Sequence, residues 1–412
     1  MKKAALSTLA AMTLSMTAYA EGIELYTDPA TGQIFTQSGE GREAMGSFVS
    51  ADAPKKDVSW YTNADKLKFG GLTYLGFTHT DFKDDAIDNT DKFEMRRAYV
   101  QIKAYLLEDP KSYFRVTLDM EHVTSDATAG DYNVRFKYAY LYLNDILPYT
   151  GVELGMAHRP WIDYEEHNAW FYRDTHWTFT EADNSAKLSN SADLGVNFKT
   201  ETKYFGSEVG LFTGEGYHNV EDGAGISFEW RATAHLLGAS GKDKQTTTTY
   251  WDASFFGQYN MDNHKYTQQP TGGIAKENQD LVWGGLHTVF NMPSFMIAAQ
   301  YIKSQDTMDS PDIYSKAGEG YNAHAVYRFG NGKQFRVVGR YDAWTPEEKY
   351  GAANETLTKH TYYGGFVWEQ NKNVEWVANV LTYDNDVAAD GTKASGAKDN
   401  STNYMLTAQV SF

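Results

Sequence analysis

From Lys66 to Phe412 the chain repeats one unit, a stretch of about ten to thirteen residues in which apolar and polar residues alternate, followed by a break. Successive side chains of a β-strand point to opposite faces, so each stretch makes a strand with one apolar and one polar face. Its length is what a tilted strand needs to cross the hydrocarbon of a membrane, roughly 9–11 residues. Sixteen such segments can be read: 66–79, 92–106, 111–122, 132–144, 149–158, 191–201, 203–213, 225–237, 249–261, 279–291, 293–304, 320–330, 332–343, 359–370, 373–384 and 402–412. Helical periodicity is absent over any comparable length, and no blade or rung motif recurs. The expected fold class is therefore all-β, a transmembrane antiparallel β-barrel of about 16 strands.

Individual segments show the two faces. In Lys111–His122, Phe114, Val116, Leu118 and Met120 oppose Arg115, Thr117, Asp119 and Glu121. In Gln334–Ala343, Phe335, Val337, Gly339 and Tyr341 oppose Arg336, Arg340 and Asp342. Charges on so many polar faces must meet water, and sixteen to eighteen strands enclose an aqueous channel. The last nine residues, YMLTAQVSF, set Tyr404, Leu406, Ala408, Val410 and Phe412 on one face and end on an aromatic residue. This resembles bacterial outer-membrane β-barrel proteins, whose last strand closes the barrel against the first.

The breaks alternate in length. Glu108–Lys111, Glu201–Lys203, Asn291–Pro293, Asn331–Gly332 and Asn371–Lys372 are short. Thr80–Asp91, Arg159–Asn190, Asp262–Asn278, Gln305–Glu319, Thr345–Thr358 and Asn385–Ser401 are long. Short periplasmic turns and long extracellular loops are the outer-membrane pattern, and Gly238–Thr248 is longer than its place in the alternation predicts. Met1–Ala20 has a basic start at Lys2 and Lys3, an apolar run and an Ala18-Tyr19-Ala20 cleavage pattern, so 1–20 is expected to be a removed export signal. Residues 21–65 lie outside the repeat and are expected to be an N-terminal periplasmic arm, with 66–412 the outer-membrane barrel.

Composition narrows the function. A formal charge of −17 argues against nucleic acid as a partner, and the absence of cysteine removes disulfides and thiol chemistry. Aromatic residues reach 15%, with 29 tyrosines, which suits interfacial girdles. The Arg159–Asn190 stretch combines Trp161, Trp170, Trp177, Phe171, Tyr172 and Phe179 with Arg159, Asp163, Glu165, Glu166, Arg173 and Asp174. A loop of that length in a compact fold is usually functional. Its position and aromatic content resemble the loop after the fifth strand of sixteen-stranded porins, which folds inward and narrows the channel. The alternative is an external loop against lipopolysaccharide or a neighbouring subunit. His167, His176, Glu165, Glu166 and Asp174 match no metal-ligand spacing, and no nucleophile elbow is present, so neither an enzyme nor a metal or other cofactor is expected. The acidic run Asp81, Asp84, Asp85, Asp88, Asp91 lacks a calcium-loop pattern and reads as a solvated loop.

Four segments carry a more specific likeness: Phe93-Glu94-Met95-Arg96-Arg97-Ala98-Tyr99, Tyr113-Phe114-Arg115 through Leu118-Asp119, Ala139-Tyr140-Leu141, and Glu153-Leu154-Gly155 up to Arg159-Pro160. They resemble the porin O/P (phosphate-selective porin) family over roughly a fifth of the chain. The resemblance implies a homotrimeric outer-membrane channel with basic side chains lining the lumen. With apolar faces set toward lipid, Arg97, Lys103, Arg115, Arg135, Lys137, Lys199, Arg231, Arg328, Arg336 and Arg340 are the expected pore-lining cations. Asp119, Glu121, Glu153, Asp193, Glu208 and Glu229 share that face. Arg336 and Arg340, about 13 Å apart along a strand, suit stepwise transfer of an anion, or alternatively pair with lumen carboxylates. The expected function is a porin, with outer-membrane lipid and lipopolysaccharide around it, passing small hydrophilic solutes and in particular anions such as phosphate. The alternatives are a non-specific or cation-preferring porin, a non-conducting structural or adhesin barrel, and a barrel-embedded hydrolase.

Overall fold

The computed structural model describes residues 23–29, 34–35, 37–48, 66–105, 107–122, 132–218, 225–239, 245–268, 274–306 and 316–412. The expected export signal, Met1–Ala20, lies outside them. The chain divides into two compact units, Met1–Ala64 and Asp65–Phe412. In the first, β1 (Ile23–Thr27) is the centre of a small antiparallel sheet between β2 (Ile34–Phe35) and β3 (Glu43–Phe48).

In the second unit, sixteen described strands close into an antiparallel barrel. The first half runs through β4 (Leu67–Phe82), β5 (Thr90–Ala104), β6 (Tyr113–His122), β7 (Tyr132–Leu147), β8 (Thr150–His158), β9 (Ala192–Glu201), β10 (Phe205–Phe212) and β11 (Ile226–His235). The second half is β12 (Tyr250–Gln268), β13 (Ile274–Met292), β14 (Phe295–Asp306), β15 (Gly318–Phe329), β16 (Phe335–Pro346), β17 (Lys359–Asn371), β18 (Val374–Tyr383) and β19 (Ser401–Ser411). Each of the sixteen sequence segments overlaps one of these strands. Closure comes from β19 pairing with β18 on one side and β4 on the other, Leu406 opposite Phe77 and Ala408 opposite Leu75. A closed sheet leaves no edge of unpaired backbone groups, which is the condition for strands to cross lipid. Among the described residues no helix is long and apolar enough to cross a membrane.

The alternation sorts the side chains as the period of two requires. Tyr404, Leu406, Val337, Phe366, Ile226 and Phe228 are exposed on the outside, while Met405, Thr407, Val338, Val367, Glu229 and Arg231 are buried within. Bulges break the rhythm in several places, and two of them bear on the inner face. On β5, Tyr74 faces Arg97 and Leu75 faces Met95, so Arg96 is an extra residue. On β7, Thr117 faces Tyr138 and Leu118 faces Phe136, so Lys137 is extra. A bulge re-aims the side chains around it; Lys137 and Tyr138, adjacent in sequence, are both buried inside.

Two expectations are corrected. Asp262–Asn278 is not wholly a loop, because β12 and β13 remain paired beyond the membrane-length segment to Gln268 opposite Ile274. A shift in register between Asn260 and Asn263 restarts the ladder, with Asp262 at φ 51° and its amide donating to Asp280 Oδ1 at 2.9 Å. The polar inner face is also incomplete. Across β12–β19 the inward side carries Phe256, Trp283, Val289, Met296, Ile302, Val326, Val338, Val377 and Leu381, all buried. That apolar wall is covered by chain rather than by water.

Candidate functional site: the lumen loop and the wall it faces

The cover is the stretch between β8 and β9. It opens with α1 (Pro160–Asn168). Arg159 is extended, at φ −88° and ψ 136°, and Pro160 takes the first helical position, where its missing N–H is not needed. Asp163 in the first turn and His167 in the last complement the helix dipole. The helix ends where the Ala169 and Trp170 amides both donate to the Glu165 carbonyl, at 3.0 and 2.8 Å.

The loop lies against the inner face of the second half of the barrel. Trp161, Tyr164, Phe179, Ala186 and Leu188 pack with Phe256, Leu281, Trp283, Ile302 and Trp344. Ala169, Trp170 and Tyr172 pack with Tyr250, Met296, Val338, Tyr363 and Val377. Trp161 stacks on Phe256 with ring centroids 3.4 Å apart, and Trp170 meets Tyr363 edge-on at 5.4 Å. Burying a chain such as Phe179 is worth about 1.5–3 kcal/mol, so several anchors together hold the loop firmly. Its far end is tied by Asn184, whose amide reaches Thr361 Oγ1 and Asn385 Oδ1, each at 3.0 Å.

Every expected loop charge has a definite place. Arg159 is buried and donates to Glu229, with Nε to Oε1 at 2.8 Å. Asp163 accepts from Lys199 at 2.7 Å and lies beside His158 and His167. Arg173 holds Glu166 and Glu181. Glu165 accepts from Gln300 Nε2 at 2.6 Å, and burial pushes its carboxyl up to about 7. Burial, with the charge of Glu375 nearby, likewise takes Asp174 to about 7. Burial would lower the His167 imidazole, but the Asp163 carboxylate outweighs it and holds the ring at about 9. His176 is lowered, by burial first and then by Arg340.

The ten expected wall cations fall into three groups. Arg97 and Arg135 reach Asp119 (2.6 and 3.5 Å), Lys199 reaches Glu153 and Asp163, and Arg231 reaches Glu208 at 3.0 Å. Arg336 holds Glu369 and Glu375, and Arg340 holds Asp342 while lying over the Trp170 ring at 4.3 Å. Arg328 is buried on neutral acceptors, Asn291 Oδ1 and the Met292 carbonyl. The third group is Lys103, Arg115 and Lys137, seated on tyrosine rings: Lys103 4.8 Å over Tyr113, Arg115 4.5 Å over Tyr138, Lys137 4.7 Å over Tyr99. Arg336 and Arg340 share a face, but each is held by carboxylates.

The lumen loop leaves an open chamber of about 620 Å³ on its short-turn side, bordered by Arg115, Tyr140, Glu153, Asp163, His167 and Lys199 among others. Sequence reasoning missed the tyrosines Tyr113, Tyr138 and Tyr140, although their spacing of two along Tyr138-Ala139-Tyr140 was a visible signal. It also missed Arg96, which reaches the Thr175 carbonyl at 3.4 Å; only the bulge turns it inward. Among the described residues no group of three His, Cys, Asp or Glu side chains is placed to hold a metal ion.

A sixteen-strand closed barrel with a long loop lying on its inner wall can be set beside solved structures. OmpF of Salmonella typhi, solved with daunomycin, superposes with a TM-score of 0.59 at 12% identity, over 84% of this chain and 97% of that one. The fold is that of the outer-membrane porins. An anion-selective porin from Comamonas acidovorans gives a TM-score of 0.58 at 15% identity, over 84% and 99%. The trimer form of OmpT, an outer-membrane protein of Vibrio cholerae, gives 0.56 at 11%, over 84% and 100%. No protein-family description matches the chain, and no curated protein matches it in sequence.

Proposed function

We propose that the chain is an exported outer-membrane porin, a water-filled channel through which small hydrophilic solutes diffuse passively. The observation that carries this reading is the lumen loop. It packs on the inner wall of β12–β19 and leaves an open chamber bordered by Tyr113, Arg115, Tyr140, Glu153, Lys199 and Arg231 of the facing wall. Loop residues Arg159, Asp163, Glu165, Glu166, Arg173 and Asp174 then form or brace the constriction. The wall cations, from Arg97 to Arg340, give the path its basic lean, so that anions, phosphate among them, are favoured by charge and hydrogen bonding. No catalytic step is required. In this reading residues 1–20 direct export, 21–65 form a periplasmic arm, and three barrels associate in outer-membrane lipid. The porin O/P resemblance supports the anion preference and the trimer, as do the fold likenesses to the anion-selective Comamonas porin and to the trimer form of Vibrio OmpT.

A non-specific or cation-preferring channel is favoured by a different observation: six of the ten wall cations are already matched by carboxylates. The reversal potential of the purified protein in a planar bilayer under a salt gradient separates the two. Anion-selective conductance, reduced by added phosphate, is the expected result. A cation-selective potential overturns the anion preference while leaving a channel, and folded protein without conductance overturns the channel.

A further inference from the structure

Lys103 and Arg115 are direct cross-strand partners on the inner face of β5 and β6. Like charges placed opposite each other destabilise a sheet, and elsewhere on this wall carboxylates relieve such charge. Here none does: among the described residues neither side chain has a carboxylate within ion-pair distance. Lys103 sits on the ring of Tyr113. Arg115 touches Thr117 Oγ1, the Tyr140 hydroxyl and His158 Nε2, and lies over the rings of Tyr138 and Tyr140 at 4.5 and 5.9 Å. Both are half-buried. Arg115 also borders the 620 Å³ chamber, where Lys199 and Arg231 are already held by Asp163 and Glu208. A guanidinium–ring contact holds a cation less firmly than a buried ion pair, so an incoming anion can recruit Arg115 without breaking a salt bridge.

The surroundings then select the body of that anion. Tyr113 stands 5.1 Å from Tyr142 and 6.2 Å from Tyr140, centroid to centroid, and Phe171 borders the same chamber from the lumen loop. Rings flanking two cations give a hydrated inorganic dianion few donors in return for its lost water. A carboxylate on a flat apolar body gains charge pairing at one end and ring contact along the other. We propose that this chamber is a binding site for small aromatic carboxylates, with Arg115 taking the carboxylate, Lys103 adding its charge from behind Tyr113, and Tyr113, Tyr140 and Phe171 contacting the ring. The site deepens the channel reading and rests on it for its role in transport.

The test uses the full-length purified protein in planar bilayers carrying a potassium chloride current, with sodium benzoate, sodium acetate or inorganic phosphate added. Benzoate is expected to halve the current at a concentration about tenfold below that needed of acetate or phosphate, the ratio expected of one favourable ring contact. Tyr113→Ala should reduce the tenfold preference for benzoate over acetate several-fold, and Arg115→Gln should weaken both. Equal potency of benzoate and acetate, or greater potency of phosphate, overturns the proposal and leaves the channel standing. Titration of benzoate into detergent-solubilised wild-type protein gives a second readout that needs no variant to fold. Benzoate binding tighter than acetate in a protein that conducts nothing keeps the site and overturns the channel; no heat of benzoate binding overturns the site.

Discussion

Glu165 is fully buried, faces Arg340, Asp342 and Glu166, and keeps one strong bond from Gln300. Its docked value of about 7 stands above the 4.5 of a free glutamate, so between those values the docked loop binds more proton than a released one. Docking therefore weakens as pH rises from about 4.5 to 7, by on the order of 3 kcal/mol for this group. Glu165→Gln, neutral throughout, should match wild type near pH 4.5 and hold the loop more firmly at pH 8. Amide exchange across residues 160–182, corrected for its intrinsic pH dependence, measures the difference. A gap that shrinks with rising pH would contradict the assignment. His176 pulls the other way, since burial favours its neutral form, and the comparison with the variant removes its contribution. The identities of these residues were legible in the sequence, but their partners were not. Gln300 lies 135 positions from Glu165, and nothing local marks it as the acceptor's mate.

At the scale of elements, the lumen loop and the apolar wall of β12–β19 form one construction. Trp170 is completely buried against Tyr172, His324 and Tyr363, with Arg340 over its ring. Replacing it with alanine should cost about 3–5 kcal/mol of docking. In single-channel recordings Trp170→Ala is expected to show a larger and noisier open level than wild type, because a loosened loop blocks less of the lumen. An unchanged, quiet level would mean the loop is held elsewhere, for example through Asn184 alone. The loop's length and aromatic content were visible in sequence. The inner wall beneath it was harder to see, because Val338 or Val377 inside and Val337 or Val380 outside are the same residue type in the same strand. The bulges at Arg96 and Lys137 were hidden too, since one extra residue shifts a face without changing composition.

For the whole molecule, closure depends on β19. Its removal leaves β18 and β4 as open edges and deletes the pair of backbone bonds between Phe412 and Gly71, each 3.1 Å. An unclosed sheet cannot satisfy its backbone in lipid. A chain lacking residues 401–412 is therefore expected to show no compact, heat-modifiable band on a semi-native gel, whereas the full chain shows one. A heat-modifiable band from the shortened chain would mean that β18 and β4 can pair directly.

What the sequence determined by itself was the barrel: strand count, strand order, the face each strand turns outward and the joint between first and last. A period of two and a membrane's thickness are local constraints, so each segment such as 335–346 reports its own state. What the tertiary structure decided was how the lumen is filled. The lumen loop settles on one wall, five wall cations are matched by carboxylates from other strands or the loop, and Lys103 and Arg115 are left on tyrosine rings. Those outcomes depend on side chains that meet only after the sheet has curved and closed, and no spacing along the chain encodes the distance across a barrel.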